Sequence, residues 1–316
     1  MDVVDLDGDD IEHEPGLNVE IGEVDDNRSC SSESAPDQPE TISLDRRQDW
    51  PAERARFTKT QKRVLSRLSF AIASALSCWF AATGIPEHVL HRWGIYDSSG
   101  VIYLTTSVNA GFVVGCAGMA TQAKMDLPRL QILLAIGLFG VSATTAMLTI
   151  SEELGVALFM RFCTGMQLSL VYPACVKLAS SWYHVSQRCN ALGLLFCAFC
   201  AGAAVPSFVA CFSGVSTIPQ ISAFFAFVGA LVVIFSVEDG PLAEPSAPIN
   251  NTAAMGVLRN RRSMLAIIGY CGHMWEVFAM WASCAALWSD ASGFHSRSAA
   301  LLAGVSIAMG CVGSLL

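Results

Sequence analysis

Eight apolar stretches, at 68–87, 101–121, 130–150, 154–182, 190–212, 216–237, 263–288 and 297–316, alternate with short polar links along the chain. A helix crossing about 30 Å of hydrocarbon needs about 20 apolar residues, so each stretch is predicted to span a membrane. Gly, Pro and Ser interrupt several of them, which helical bundles in lipid tolerate. The run from Arg161 to Pro206 is the most informative. Its first half carries Arg161 and Lys177, and the polar link His184 to Arg188 divides it from the second. Lipid rejects such charges unless the protein interior holds them. The fold class expected is all-α: a polytopic membrane protein whose polar groups face an interior path.

Charge sharpens this picture. Only 15% of residues are charged and mean hydropathy is +0.47, whereas soluble domains carry about 25% charged residues. Residues 1–53 hold 17 of the 27 acids, and the rest of the chain holds 10 acids against 16 bases. The overall charge of −8 therefore belongs to the tail. That tail is rich in Asp, Glu, Ser and Pro with almost no aromatics, so it is expected to be disordered and cytoplasmic. It lacks the charged-then-apolar pattern of a signal peptide.

Basic residues then set the orientation. Arg54, Arg56, Lys59, Lys62, Arg63 and Arg67 precede the first stretch. Lys124 and Arg129, then Arg188, then Arg259, Arg261 and Arg262 fall in alternate links on the same side. The other side has Arg92 and Arg297 against Glu87, Asp97, Glu152, Glu153 and Asp290. The positive-inside rule places the N-terminus in the cytoplasm. The longest link, 238–262, is Pro-rich and polar, and it reads as a tether between a six-helix unit (54–237) and a partial second one (263–316). The Asn250-Asn251-Thr252 sequon would then lie on the unglycosylated side.

Twelve cysteines are scattered as small residues, all but Cys30 after the tail. Cys197 and Cys200 form a C-x-x-C inside an apolar helix, without the βαβ context of a redox motif. No paired metal-ligand spacing occurs, so neither metal nor cofactor is expected. An enzyme would need a nucleophile with its base at helical spacing, and none is evident.

Several pieces resemble the major facilitator superfamily of secondary transporters. Arg161-x-x-x-Gly165, Tyr172-Pro173, Lys177, Ser181-Trp182-Tyr183 and Arg188 look like that family's fourth helix and exit link. Gly193 and Ala201-Gly202 to Pro206 look like its fifth helix. Gly272-His273-Met274-Trp275-Glu276 with Ala279-Met280-Trp281 is similar to a bacterial-type branch at the start of the seventh. The resemblance covers about 68–316. The family's two–three link signature is degraded: Asp126 aligns with its acid and Arg129 with one of its bases. Gln122 stands where a glycine is usual, with Gly118 the nearest, and Leu127 replaces an arginine. The family has twelve helices, so this chain reads as truncated after the eighth. The resemblance implies transport by alternating access of one bundle against another.

Glu276, near the middle of the seventh stretch, is the main candidate for coupling protons, since such a role needs a carboxyl group exchanging a proton within the membrane. His273, three residues earlier on the same face, could share that proton. The alternative for Glu276 is a packing hydrogen bond. Arg161 can bind an anionic solute bidentately, satisfy carbonyls at a helix break, or snorkel outward. Thr105, Asn109, Tyr172, Trp275 and Trp281 are candidates to line a cavity, since amide and aromatic groups orient small ligands. Packing or an interfacial belt is the alternative for the tryptophans.

The expected partners are a small solute, such as an organic anion or metabolite, with protons, and the lipid bilayer; nucleic acid is not among them. A truncated, non-transporting receptor, scaffold or partner subunit is the alternative. The orientation has a direct check in microsomes by glycosylation mapping. A sequon engineered beside Glu152 is expected to be modified and the native Asn250 to stay unmodified; the reverse pattern would invert the topology.

Overall fold

In the computed structural model the described residues are 57–84, 87–95, 99–122, 129–212, 217–243, 251–292 and 296–315. All of them lie in the unit Glu53–Leu316. The expected acidic tail and Asp126 lie outside the described residues. Every regular element among those residues is helical: α1 (Lys59–Trp79), α2 (Glu87–Arg92), α3 (Ser99–Gln122), α4 (Leu130–Met147), α5 (Leu154–Trp182), α6 (Val185–Phe212), α7 (Ile218–Ser236), α8 (Asn251–Arg259), α9 (Arg261–Ser292), α10 (Ser296–Ala308) and α11 (Gly310–Leu315). Six spans are long and apolar enough to cross a membrane: those on α3, α4, α5, α6 and α7, and one running through α10 and α11. The chain is a polytopic, helical membrane protein.

The first and seventh apolar stretches coincide with α1 and α9, which are 21 and 32 residues long. Both are long enough to cross but too polar along their length to join the six. α1 opens with Lys59, Lys62, Arg63 and Arg67, and α9 holds Arg261, Arg262, His273 and Glu276. Helix limits also differ from the apolar limits, because apolarity marks contact with hydrocarbon, whereas backbone bonding continues into the polar layer. α1 thus starts nine residues before Leu68. Thr58 caps it by accepting from Gln61 N–H while the Gln61 side chain accepts from Thr58 N–H, at 3.2 and 2.9 Å, a reciprocal capping box. α6 likewise starts at Val185 and takes in Arg188. The expected tether contains α8, and α9 follows it directly: the Asn260 side chain accepts from Arg262 N–H at 2.9 Å, capping the new helix.

The six most extensive pairings among α1, α3, α4, α5, α6 and α7 are α3–α5, α4–α5, α4–α7, α1–α6, α1–α7 and α1–α5. Exchanging α1, α3, α4 for α5, α6, α7 in order returns the same set. α3–α5 becomes α6–α1, α4–α5 becomes α7–α1, and the other two return themselves. α10 packs against α6 and α9, and α11 against α6.

Small residues make the closest of these pairings. A Cβ at Gly165 would overlap the Val108 carbonyl oxygen of α3, and one at Gly111 would overlap that of Phe162. Across the exchanged pair, a Cβ at Gly202 of α6 would overlap the backbone of Ala73 on α1. In lipid, where no apolar surface is gained by helix pairing, such backbone approach and dispersion drive association. One large core follows, from Leu68, Ile72 and Leu76 of α1 through Leu134 and Leu138 of α4 to Leu168 and Leu178 of α5.

The polar ends are knotted by side chains. Trp182 Nε1 donates to the Glu238 carbonyl at 2.9 Å, and Gln61 Nε2 to that of Trp182 at 2.9 Å. The Tyr183 hydroxyl donates to the Gln61 carbonyl at 2.7 Å, and burial pushes its pKa up to about 12, so it stays a donor at neutral pH. Arg188 Nε donates to the Tyr183 carbonyl at 3.1 Å, and Arg67 caps the Ser236 carbonyl at the end of α7. Gly165→Ala is expected to cost about 1–3 kcal/mol through overpacking. Gly118→Ala, with open space at its Cβ, should be near neutral. Thermal unfolding in detergent, followed by a thiol dye reporting buried Cys78 and Cys175, separates the two.

Candidate functional site

The polar centre of the bundle is built on the broken end of α1. The helix stops at Trp79, Phe80 follows in a non-helical conformation, and a short 3-10 turn covers Ala81–Gly84. The last carbonyls of a helix have no partner within it. Arg161, fully buried on α5 (0% exposed), supplies one. Its Nη1 donates to the Cys78 carbonyl at 2.8 Å and its Nη2 to that of Trp79. A cation is favoured at the negative end of the helix dipole, and the planar guanidinium meets two adjacent carbonyls where an ammonium would not. Among the described residues its Nε, like the hydroxyl of Ser222, is buried without a hydrogen-bond partner. Among the described residues no acidic side chain is a partner of Arg161.

The same Trp79 organises an aromatic network. Its Nε1 donates to Asn109 Oδ1 on α3 at 3.1 Å. Its ring lies 4.9 Å from that of Phe112 and stacks on Phe278 of α9 at 5.1 Å. Phe278 meets Phe80 and Trp281, each at 6.0 Å. Trp281, 8% exposed, meets Phe199 of α6 at 6.0 Å, and Phe199 meets Tyr172 of α5 at 5.8 Å. Offset and edge contacts of this kind are worth about 0.5–1.5 kcal/mol each beyond area burial. They are also the means by which α9 touches α1, α6 and, through Phe80, the end of the first helix.

Of the residues singled out from sequence, Asn109, Tyr172, Trp281 and Arg161 converge on this network. Thr105 is buried on α3 one turn before Asn109. Trp275, Glu276 and His273 stand apart from it. The packed stripe of α9 runs through Met274, Val277, Phe278, Trp281 and Cys284 at three- and four-residue spacing. Trp275 is 79% exposed, and Glu276 and His273 are exposed as well. Gly118 is exposed on α3, and Arg129 is exposed at the start of α4. The network residues not foreseen are Trp79, Phe112, Phe199 and Phe278. Phe278 was accessible from spacing, since it shares a helical face with Trp281, which Trp275 does not. Trp79 was not, because the end of α1 falls inside an apolar run.

No family model matches the chain, and no curated protein matches it.

Removing the guanidinium should leave two buried carbonyls without a donor, each worth about 1–3 kcal/mol. Arg161→Leu is expected to lower the unfolding midpoint strongly and Arg161→Lys to recover only part. Asn109→Leu should cost less and shift the fluorescence maximum of Trp79, checked against a Trp79→Phe background.

Proposed function

We propose that this chain is a secondary transporter of major facilitator type. It moves a small solute, an organic anion or similar metabolite, by alternating access. The carrying observation is the exchange pattern of helix pairings: three helices and the next three make equivalent contacts, the arrangement of inverted repeats in transporter bundles. In this reading residues 54–237 form one bundle, 238–262 tether it, and 263–316 begin the other. The cytoplasm lies on the side of the Arg- and Lys-rich links.

The solute path follows the seam where α9 meets α1 and α6, with Tyr172 of α5 reached through Phe199. Asn109, Tyr172 and Trp281 supply polar edges on an aromatic wall. Arg161 supports this wall rather than lining it, because its Nη groups already hold the end of α1. Glu276, with His273 one turn away on exposed α9 surface, couples the solute to protons. A carboxyl group halfway along a membrane helix is a functional hypothesis by default.

The second reading is a non-transporting partner subunit, favoured by the exposed stretch of α9 around Glu276, where Tyr270 and Trp275 are 58% and 79% exposed. The two are separated in proteoliposomes holding the full chain and a pH-sensitive dye, challenged with small mono- and dicarboxylates. Transport is expected to acidify the lumen with at least one of them. Glu276→Gln should abolish acidification and retain solute exchange between the two sides. Acidification unchanged in Glu276→Gln would remove the coupling role. No movement of any solute, together with a stable cross-linked partner on α9, would favour the second reading.

A further inference from the structure

A groove of 390 Å³ runs down the outer surface between α4 and α7, lined by Arg129, Gln131, Ile132, Ala135, Ile136, Phe139 and Ile234. Its floor is Ala135, 2% exposed, and its rims are Ile132, Ile136 and Ile234, each 41–54% exposed. Phe139, held edge-on by Phe227 of α7 at 5.6 Å, closes the far end. The near end is polar. Gln131 is engaged, its amide donating to the Val233 and Ile234 carbonyls at 3.3 and 2.8 Å. Among the described residues Arg129 is the one charged group lining the groove. It precedes the first turn of an 18-residue helix, whose dipole adds to its positive field.

The dimensions identify the occupant. From Arg129 to Phe139 is ten residues, about 15 Å along a helix, half of an approximately 30 Å hydrocarbon core. One end of the groove therefore lies at the membrane surface and the other near the midplane, the depth of a single leaflet. We propose that this groove seats one anionic phospholipid, its phosphate on Arg129 and one acyl chain against Ile132, Ile136, Phe139 and Ile234. α4 begins on the side that also carries Lys59, Lys62, Arg63 and Arg67 at the start of α1 and Arg188 at the start of α6. That is the leaflet face where anionic lipid is enriched. The site is separate from the aromatic seam and does not depend on the transport reading.

Native mass spectrometry of the full chain in detergent tests it, with phosphatidylglycerol and phosphatidylcholine of identical acyl chains as probes. The wild type is expected to bind its first phosphatidylglycerol about fivefold more tightly, the value of one cation at a membrane surface. Arg129→Gln should erase that preference. Ile136→Trp, which fills the groove from an exposed position, should weaken both lipids. Lys62→Gln, an exposed cation elsewhere on the same side, should change nothing. Equal binding of the two lipids by the wild type would overturn the site. So would a preference that survives Arg129→Gln or is lost equally in Lys62→Gln, an unaffected Ile136→Trp, or inorganic phosphate alone displacing the lipid.

Discussion

The hold of Arg161 on the last carbonyls of α1 is the contact on which the centre of this bundle depends. A helix that ends inside a membrane protein leaves carbonyls that neither water nor its own backbone can satisfy. Lipid offers them nothing. A guanidinium from α5 answers two of them and also finds a place for a charge that hydrocarbon would reject. Each group removes the cost of the other. The consequence is that the chain can turn at Phe80, and Trp79 is fixed at the turn.

Everything aromatic in the seam follows from that position. Trp79 is held at its carbonyl by α5, at its indole N–H by α3, and on its ring face by α9. Close approach of α3 to α5 at Gly111 and Gly165 sets Asn109 and Arg161 at the right depth. A side chain at either glycine would push those helices apart and separate the two polar anchors of Trp79. The glycines matter here through distance between backbones, not through unusual backbone angles. Among the described residues only Gly94, in the turn after α2, has a positive φ.

Helix exchange, aromatic seam and the groove of α4 and α7 support different conclusions. The equivalence of α1, α3, α4 with α5, α6, α7 concerns how the six helices assemble, and it underlies the proposal of a transporter. The seam is where a solute would meet α9 in that proposal. The groove of α4 and α7 faces outward, with apolar walls suited to lipid and, among the described residues, one cation lining it. Its chemistry follows from being embedded at all, whatever the bundle carries.

The helical class and most of the long apolar segments were legible along the chain, six of the eight expected stretches being long and apolar enough to span, because hydrocarbon thickness imposes a length and lipid imposes apolarity on a spanning segment regardless of its neighbours. The run Arg161 to Pro206 already announced charges that needed an interior. Helix ends were less legible: capping by Thr58 and Asn260 extends α1 and α9 past the apolar limits, since backbone hydrogen bonding does not stop where hydrocarbon does. Which face of α9 would pack was decided by Phe278 and Trp281 meeting Trp79, Phe80 and Phe199, so Trp275 and Glu276 were left outside. The sequence by itself determined that the chain enters a membrane many times, a property each segment carries alone. Only tertiary structure decided what Arg161 holds, because its partners are backbone carbonyls more than eighty residues away, and a carbonyl has no signature in sequence until a helix ends there.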